Sequence, residues 1–242
     1  MKNFFIFDGK NSLDYGIRIE SYPDVSIPER IYESYEVPGR SGNLVFDTGA
    51  YRNVTQIYDC WYKPLKRADF ATSYSLIQHI TRWLLGPRGY RELEDSYFPW
   101  LFRKAIYAGP ADISSFFAKY GRITLEFNCM PQKWLKSGQN PISVESGQQL
   151  FNDGETALPL IQISGSGAGT LGVGNSTVQL SEIPEGGVTI DAETQNIYSG
   201  AQNYNSIATI SGGFPKLPNG ATRITFSGGI TDVTIIPRWW VL

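Results

Sequence analysis

The sequence is poor in the residues that most often carry chemistry. It has one histidine, His79, and two cysteines, Cys60 and Cys129, among 242 residues. A lone histidine with no motif around it gives no basis for a Ser–His–Asp set. The cysteines lie far apart, without the CxxC or HxxxH spacing of a metal site. We therefore expect no catalytic residues, metal or cofactor, and two buried free thiols in a reducing cytoplasm, a disulfide being the alternative.

Long apolar runs and an excess of one charge are also missing. The 21 basic and 23 acidic residues leave a net charge of −2. That balance gives no basic surplus to attract nucleic acid, and no block of like charge forms a tail. No stretch approaches the ~20 apolar residues of a membrane helix. The apolar run near the N-terminus is short, so we expect neither a signal peptide nor membrane insertion.

Turn-forming and aromatic residues are plentiful. The 25 glycines, 14 prolines and 14% aromatics are typical of a folded, turn-rich β protein of one or two domains. Up to residue 63 the chain resembles short strands separated by turns. Residues 54–60 alternate, with apolar groups on both faces, which predicts a strand covered on both sides.

One segment, ADFATSYSLIQHITRWLLGP, has helical periodicity. Gly86–Pro87 should end this helix, glycine supplying a left-handed cap. We expect an amphipathic helix that covers a sheet, with His79 partly exposed on it. The predicted apolar stripe comprises Phe70, Tyr74, Leu76, Ile77, Ile80, Thr81 and Leu84.

The second half differs in composition. Residues 135–147 are polar, contain Pro141 and two glycines, and are the best candidate for a linker. From 148 to 242 there is no helical periodicity. Short strands recur every eight to twelve residues between glycine-containing turns, a spacing that predicts a small all-β sandwich.

The stretch VPGRSGNL, Val37 to Leu44, has two glycines and an arginine and could be compared with a phosphate-binding loop. A phosphate cradle needs backbone N–H groups at the start of a helix, usually after a buried strand. Here LVFDTGAY follows, which alternates and turns, and the GxxxxGK[ST] spacing is missing. The stretch predicts a tight hairpin turn instead.

Two further groups of residues are candidate sites. Glu92, Glu94 and Asp95 cluster in RELEDSYFP, and in a strand the first two share a face, as a carboxylate pair of a hydrolase could. A solvated strand edge explains them as well. Trp239–Trp240 could form a sugar platform, or could pack the last strand.

Several motifs, taken in order, resemble the distal tail protein (Dit) family of siphophages, also called the siphophage tail component family. The resemblance extends from end to end. In the second half it includes VTIDAET, FPKLPNGATRI and the closing IPRWW. In the first half the matching residues are Asp14, Tyr15, Gly16, the turn Val37 to Leu44, Asp47, Gly49, Tyr51, Asn53, Gly89, Tyr90, Asp95, Ser96, Pro99, Phe102, Arg103 and Ala105.

The resemblance implies a mainly β fold in two domains. Residues 1–138 would form an N-terminal β domain, a sandwich or split barrel with one amphipathic helix, and residues 139–242 a galectin-like β-sandwich. It implies a non-enzymatic homohexameric ring in the virion, at the phage tail tip, assembled in the host cytoplasm. The ring would join tail tube, tape-measure and hub or lysin proteins, leave a channel for DNA, and dock receptor-binding or baseplate parts.

An exposed arginine on a tight turn suits a repeated contact in such a ring, because its planar guanidinium can hold a neighbour's carboxylate or carbonyls. We therefore predict a protein interface at Pro38, Gly39, Arg40, Gly42 and Asn43. The alternative function is a carbohydrate-binding module that recognises the host surface through the C-terminal domain. That half has no histidine, whereas sugar-binding galectins use one.

Overall fold

The computed structural model describes residues 3–63, 70–109 and 121–242. The chain divides into two compact units, Met1–Lys133 with Leu242 (unit 1) and Trp134–Val241 (unit 2). The division falls a few residues before the boundary at 138/139 expected from the sequence. Each unit has a buried apolar cluster of its own.

Unit 1 is built mainly from one antiparallel sheet and one helix, α1 (Phe70–Leu85). The sheet has the strand order β2-β1-β7-β8-β9-β6-β3, while β4 and β5, among the described residues, pair only with each other. The strands are β1 Phe5–Phe7, β2 Lys10–Asn11, β3 Ile17–Ile19, β4 Arg30–Tyr35, β5 Leu44–Tyr51, β6 Val54–Tyr62, β7 Arg91–Asp95, β8 Leu101–Tyr107 and β9 Gly121–Leu135.

Strand β6 alternates strictly between buried and exposed residues. Tyr58 and Cys60 face the core, whereas Ile57 and Trp61 are more than two-fifths exposed. The prediction that this strand is covered on both sides is therefore wrong, because no part of the described chain buries its second face. Alternation with one solvated face is usual for antiparallel sheets, and apolar residues on the outer face made the sequence misleading.

Helix α1 covers the inner face of this sheet, as predicted. Its buried side chains are Ile80, Trp83 and Leu84, with Leu76 and Ile77 partly buried. Trp83 stacks on Phe5 and Tyr15 and donates its indole N–H to the carbonyl oxygen of Phe7 at 2.9 Å. Trp83 was absent from the predicted stripe. Ala68–Asp69 and the side chains of Phe70 and Tyr74 lie outside what the structure describes.

The helix ends where predicted but for a different reason. Gly86 is not in the left-handed region, and its N–H bonds to the carbonyl oxygen of Arg82 at 2.9 Å. A Cβ at this position would collide with that same carbonyl oxygen. Gly86 thus permits the close approach of the Arg82 carbonyl oxygen and does not act as a left-handed cap. Within the described ranges, no helix is both long and apolar enough to cross a lipid bilayer.

Unit 2 is all β apart from two short 3-10 turns, Lys136–Gln139 and Asn205–Ile207. Residues 135–147, predicted as a linker, belong to it: they contain a 3-10 turn and a strand paired with β18. The strands are β10 Ile142–Val144, β11 Gln149–Asn152, β12 Leu160–Val173, β13 Ser176–Leu180, β14 Val188–Asp191, β15 Asn196–Ser199, β16 Gln202–Asn203, β17 Ala208–Ser211, β18 Gly220–Ile236 and β19 Trp240–Val241.

The two long strands β12 and β18 connect two layers. Their register breaks after Ser164, at a run of glycines. Before the break β12 pairs with β14, and after it with β13. A side chain at Gly229 would collide with the carbonyl oxygen of Ser166, so the bend requires glycine. Strands that change sheet through bulges build β-sandwiches, and both halves contribute to one core, as the sequence predicted.

Candidate protein-interaction hairpin

Strands β4 and β5 form a two-stranded antiparallel ribbon, paired from Arg30↔Tyr51 to Tyr35↔Leu44 with one register shift after Ile31. The stretch VPGRSGNL lies at the turn between them. The backbone N–H of Arg40 bonds to the carbonyl oxygen of Val37 at 3.1 Å. Gly39 and Gly42 have φ of 79° and 80°, which residues with a side chain rarely adopt. The predicted hairpin turn is confirmed.

The residues predicted as an interface all lie at this turn. Pro38, Gly39, Arg40, Gly42 and Asn43 are exposed. Asn43 donates from its side chain to the Ser34 hydroxyl at 2.8 Å, which links the turn to β4. The Arg40 guanidinium has no ion-pair partner among the described residues. The turn therefore presents an unpaired cation to solvent.

Both faces of the ribbon carry exposed apolar side chains. Tyr32 and Val45 lie on one face. Tyr35 and Phe46 lie on the other and meet edge to face, with ring centroids 5.9 Å apart. An isolated two-stranded hairpin is at best marginally stable in water, and exposed apolar patches mark interaction sites. The ribbon has the composition of a surface that another chain covers.

Polar contacts hold the ribbon in shape. Arg30 pairs with Asp47 at 2.9 Å, and both side chains are about half exposed. Asp47 also accepts the N–H of Gly49, whose φ of 71° belongs to a bulge opposite Ile31. A bulge increases the local twist of a strand pair. These contacts stiffen the hairpin without burying it.

The segment that leads into the hairpin is anchored to β6 and β9. The Ser26 hydroxyl donates to the carbonyl oxygen of Thr55 at 3.0 Å, and the carbonyl oxygen of Ser26 accepts from Lys133 Nζ at 3.3 Å. Burial, and secondarily the charge of Arg103, lower the pKa of Lys133. Ile27, which follows Ser26, is 87% exposed. The base of the hairpin is thus fixed while its apolar surface is open.

Of the three carboxylates in RELEDSYFP, one lies apart from the other two. Glu92 and Glu94 do share a face of β7, but Asp95 lies on the opposite, buried face. There Asp95 Oδ2 accepts from Arg103 at 3.2 Å and from the Tyr58 hydroxyl at 3.0 Å. Its Oδ1 accepts two backbone N–H groups of the following turn, each at 2.9 Å. Asp95 therefore has a structural role. Burial raises the pKa of the Tyr58 hydroxyl that donates to it.

The remaining candidates do not converge on a site. His79 is exposed on α1. Cys60 and Cys129 are buried free thiols, as predicted, and burial raises the pKa of each, that of Cys129 to about 12. In the part of the chain that the structure describes, no three His, Cys, Asp or Glu side chains are grouped as a metal site would need.

The tryptophan pair packs the end of unit 2. Trp239 and Trp240 are partly buried against its core. The indole N–H of Trp240 donates to the carbonyl oxygen of Thr156 at 3.0 Å, and its own carbonyl accepts from Glu155. Of the two interpretations of this pair, the structure favours packing of the last strand.

Comparisons with known proteins agree with this architecture. No family model and no curated protein matches the sequence. Among solved structures, the crystal structure of phage SPP1 Dit (gp 19.1) matches with a TM-score of 0.76 and 13% identity, over 99% of both chains. The chain has the Dit fold. A structure of the phage p2 baseplate in its activated conformation matches with a TM-score of 0.48 and 7% identity, over 97% of this chain and 98% of that one.

On the Dit fold, the sequence motifs occupy structural positions. Gly16, with φ of 73°, lies so close to the Lys63 carbonyl that no side chain would fit. Asn53 donates to Tyr90 at 2.6 Å and to Asn128 at 2.8 Å, joining three segments of unit 1. The motifs therefore specify turns and polar contacts of the fold. The apolar hairpin faces had no such motif, and only the exposure of their side chains in the structure showed them.

Proposed function

We propose that this protein is a structural component of a phage tail tip, a distal tail protein of the hub or baseplate. The observation that supports this most strongly is the match with SPP1 Dit along the whole of both chains. That protein is described as a paradigm of the hub adsorption apparatus in phages that infect Gram-positive bacteria. The proposal gives the chain a place in the virion and no enzymatic role.

In this proposal the N-terminal domain forms a homohexameric ring, and the galectin-like domain docks peripheral parts. The ring joins the tail tube to the tape-measure and hub or lysin proteins and leaves a channel for DNA. Assembly takes place in the cytoplasm of the bacterial host. A ring needs a heterologous contact, in which two different patches of the subunit meet and the rotation closes.

The hairpin supplies one patch of that contact. Its ribbon exposes Tyr32, Tyr35, Val45 and Phe46, and burying such side chains contributes roughly 1.5–3 kcal/mol each. At the tip, Arg40 can bond a neighbour's carboxylate or carbonyls with a planar fork of donors. We propose that the turn with Pro38, Gly39, Arg40, Gly42 and Asn43 lies in the subunit interface.

Labelling of phage particles tests the placement in the virion. Antibodies raised against the purified chain, coupled to gold, should decorate the distal end of the tail in electron micrographs. Preincubation with the purified chain should remove that label. Gold on the capsid or along the tail shaft, with none at the tip, would contradict the proposal.

A further inference from the structure

A cleft of about 810 Å³ lies entirely within unit 2. It is formed by the turn between β12 and β13, the segment between β17 and β18, the start of β18 and the turn after β14. Part of its lining belongs to the motifs VTIDAET and FPKLPNGATRI, whereas the turn proposed as a ring contact does not line it. Binding sites are typically clefts of this size that have a few directed polar groups.

The charges in the cleft favour an anion. Lys216 and Arg223 line it and are exposed, and neither has an ion-pair partner among the described residues. The carboxylate in the lining, Glu193, is held by Arg238 at 3.2 Å. Arg238 also pairs with Asp191, and its φ of 58° is unusual for a residue with a side chain. The acidic group is thus neutralised locally, whereas the two cations are left open.

The uncharged lining offers an aromatic face and hydrogen-bonding groups. Phe214 is half-buried in the wall. Asn175 and Gln195 contribute amides, which can donate and accept. Gln195 has φ of 52°, so both it and Arg238 adopt the left-handed conformation near this cleft, and strained residues cluster at ligand-binding sites.

Thr222 is the most telling residue of the lining. It is 3% exposed, and its hydroxyl has no hydrogen-bond partner in the structure. Buried polar side chains are nearly always paired, so an unpaired one calls for an explanation. Thr222 lines the cleft, and its hydroxyl is a polar group of the wall whose partner is missing.

We propose that the cleft binds an anionic oligosaccharide, through a sugar that bears a carboxylate or a phosphate. The anion meets Lys216 and Arg223 in charge-assisted hydrogen bonds. The apolar face of the sugar ring packs on Phe214, and its hydroxyls bond to the amides and to Thr222. An acidic peptide offers the charge without these hydroxyls. The inference concerns unit 2 alone and does not rest on ring formation.

Saturation-transfer NMR and calorimetry on the full-length protein test this directly. The probes are a uronic-acid trisaccharide and glucose 6-phosphate, which represent the two anion sources. The matched controls are a neutral glucose trisaccharide and a hexaglutamate peptide. We expect binding of at least one anionic sugar, weaker in high salt, with saturation transfer to its ring protons. The neutral trisaccharide should bind at least about tenfold more weakly, by the loss of one charge-assisted bond.

Variants locate the site. Arg223→Glu and Lys216→Glu should each weaken binding about tenfold or more. Arg18→Glu, an exposed cation of unit 1, is the matched control and should leave binding unchanged. Thr222→Val keeps the side-chain shape and removes the unpaired hydroxyl. It should weaken binding several-fold while the urea midpoint stays equal or rises, because no protein hydrogen bond is lost.

Three results would overturn the proposal. They are no binding of either anionic sugar at millimolar concentration, equal binding of the neutral trisaccharide, and binding of hexaglutamate as tight as that of the sugars. Unchanged affinity in both Arg223→Glu and Lys216→Glu would overturn it as well. If the ring forms normally but none of the probes binds, the inference about the cleft is wrong while the function proposed for the chain still stands.

Discussion

Arg103 and Asp95 form an ion pair in the interior of unit 1, with 3.2 Å between Nη1 and Oδ2 and side chains 2% and 0% exposed. Asp95 belongs to β7 and Arg103 to β8, next to it in the sheet. The carboxylate also holds the turn between these strands by accepting the N–H groups of Tyr97 and Phe98. One buried side chain therefore fixes a strand, a turn and a cation.

Replacement of this carboxylate should be costly. Asp95→Asn keeps an acceptor for the turn but leaves the Arg103 charge buried without its partner. We expect a loss of about 3–5 kcal/mol in the free energy of unfolding, measured by urea denaturation. Glu92→Gln, on the exposed face of the same strand, is the control and should change stability by less than about 0.5 kcal/mol. A loss below about 1 kcal/mol in Asp95→Asn would show that the pair does not hold this unit together.

Two glycines with similar backbone angles should respond differently to alanine. Gly42 has φ of 80° and open space around it, so Gly42→Ala should cost about 1–2 kcal/mol from backbone strain alone. Gly16 has φ of 73° and abuts the Lys63 carbonyl, so Gly16→Ala should cost more than about 2 kcal/mol. Thermal unfolding of the two variants measures the difference. Equal midpoints would contradict the close approach at Gly16.

Asp191 should make the stability of the protein depend on acid pH. Burial alone raises the pKa of its carboxyl, but the hydrogen bond and charge of Arg238 outweigh this and lower the pKa below its ordinary value. A lowered folded-state pKa contributes stability that is present above about pH 4 and is lost as the pH falls through the folded value. Asp191→Asn should thus be less stable than the wild type at pH 7, and the gap should narrow below about pH 4.

The control for this titration is Glu193→Gln, because Glu193 meets the same arginine from a more exposed position. The difference in unfolding free energy between Glu193→Gln and the wild type should be smaller than that of Asp191→Asn at every pH. Urea midpoints between pH 3 and pH 7 give both profiles. A gap for Asp191→Asn that is the same at pH 3 and pH 7 would rule out this linkage.

Much of the fold could be predicted because local patterns dominate it. The helical stripe, the hairpin turn at Val37 to Leu44 and the strand-rich second half follow from periodicity and turn residues, and the mainly β fold is confirmed. Trp83 was missing from the predicted apolar stripe of α1, because a tryptophan next to Arg82 does not by itself indicate which face of the helix is buried. Its burial depends on stacking with Phe5, a contact between distant parts of the sequence.

The candidate surfaces were harder to foresee. The turn with Arg40 was found from its glycines, but Phe46 and Tyr32 have the alternation of an ordinary half-buried strand. Their exposure follows because β4 and β5 pair with each other and with no other strand in the described part of the chain, which no local pattern encodes. The cleft with Arg223 and Thr222 unites four segments of the sequence, 156–158, 173–176, 192–195 and 212–223. Such sites come from topology rather than from residue spacing.

Charge placed on the hairpin should impair assembly without unfolding the subunit. Phe46→Glu should weaken self-association at least about tenfold, because it introduces a charge into an apolar contact, and Arg40→Glu should weaken it by removing the cation of the turn. Phe151→Glu is a matched control, since Phe151 is an exposed aromatic residue of unit 2, and Arg18→Glu is the control for Arg40. Sedimentation velocity measures the shift. Unchanged association in both hairpin variants would exclude the hairpin from the interface.

The ring itself is the most direct test. Size-exclusion chromatography with light scattering, followed by negative-stain imaging, should be carried out over a range of protein concentrations, alone and with the tail tube and hub proteins of the same phage. The account predicts a species of six subunits that appears as rings with a central channel. A protein that stays strictly monomeric at high concentration and with those partners, with no rings in any image, would contradict it.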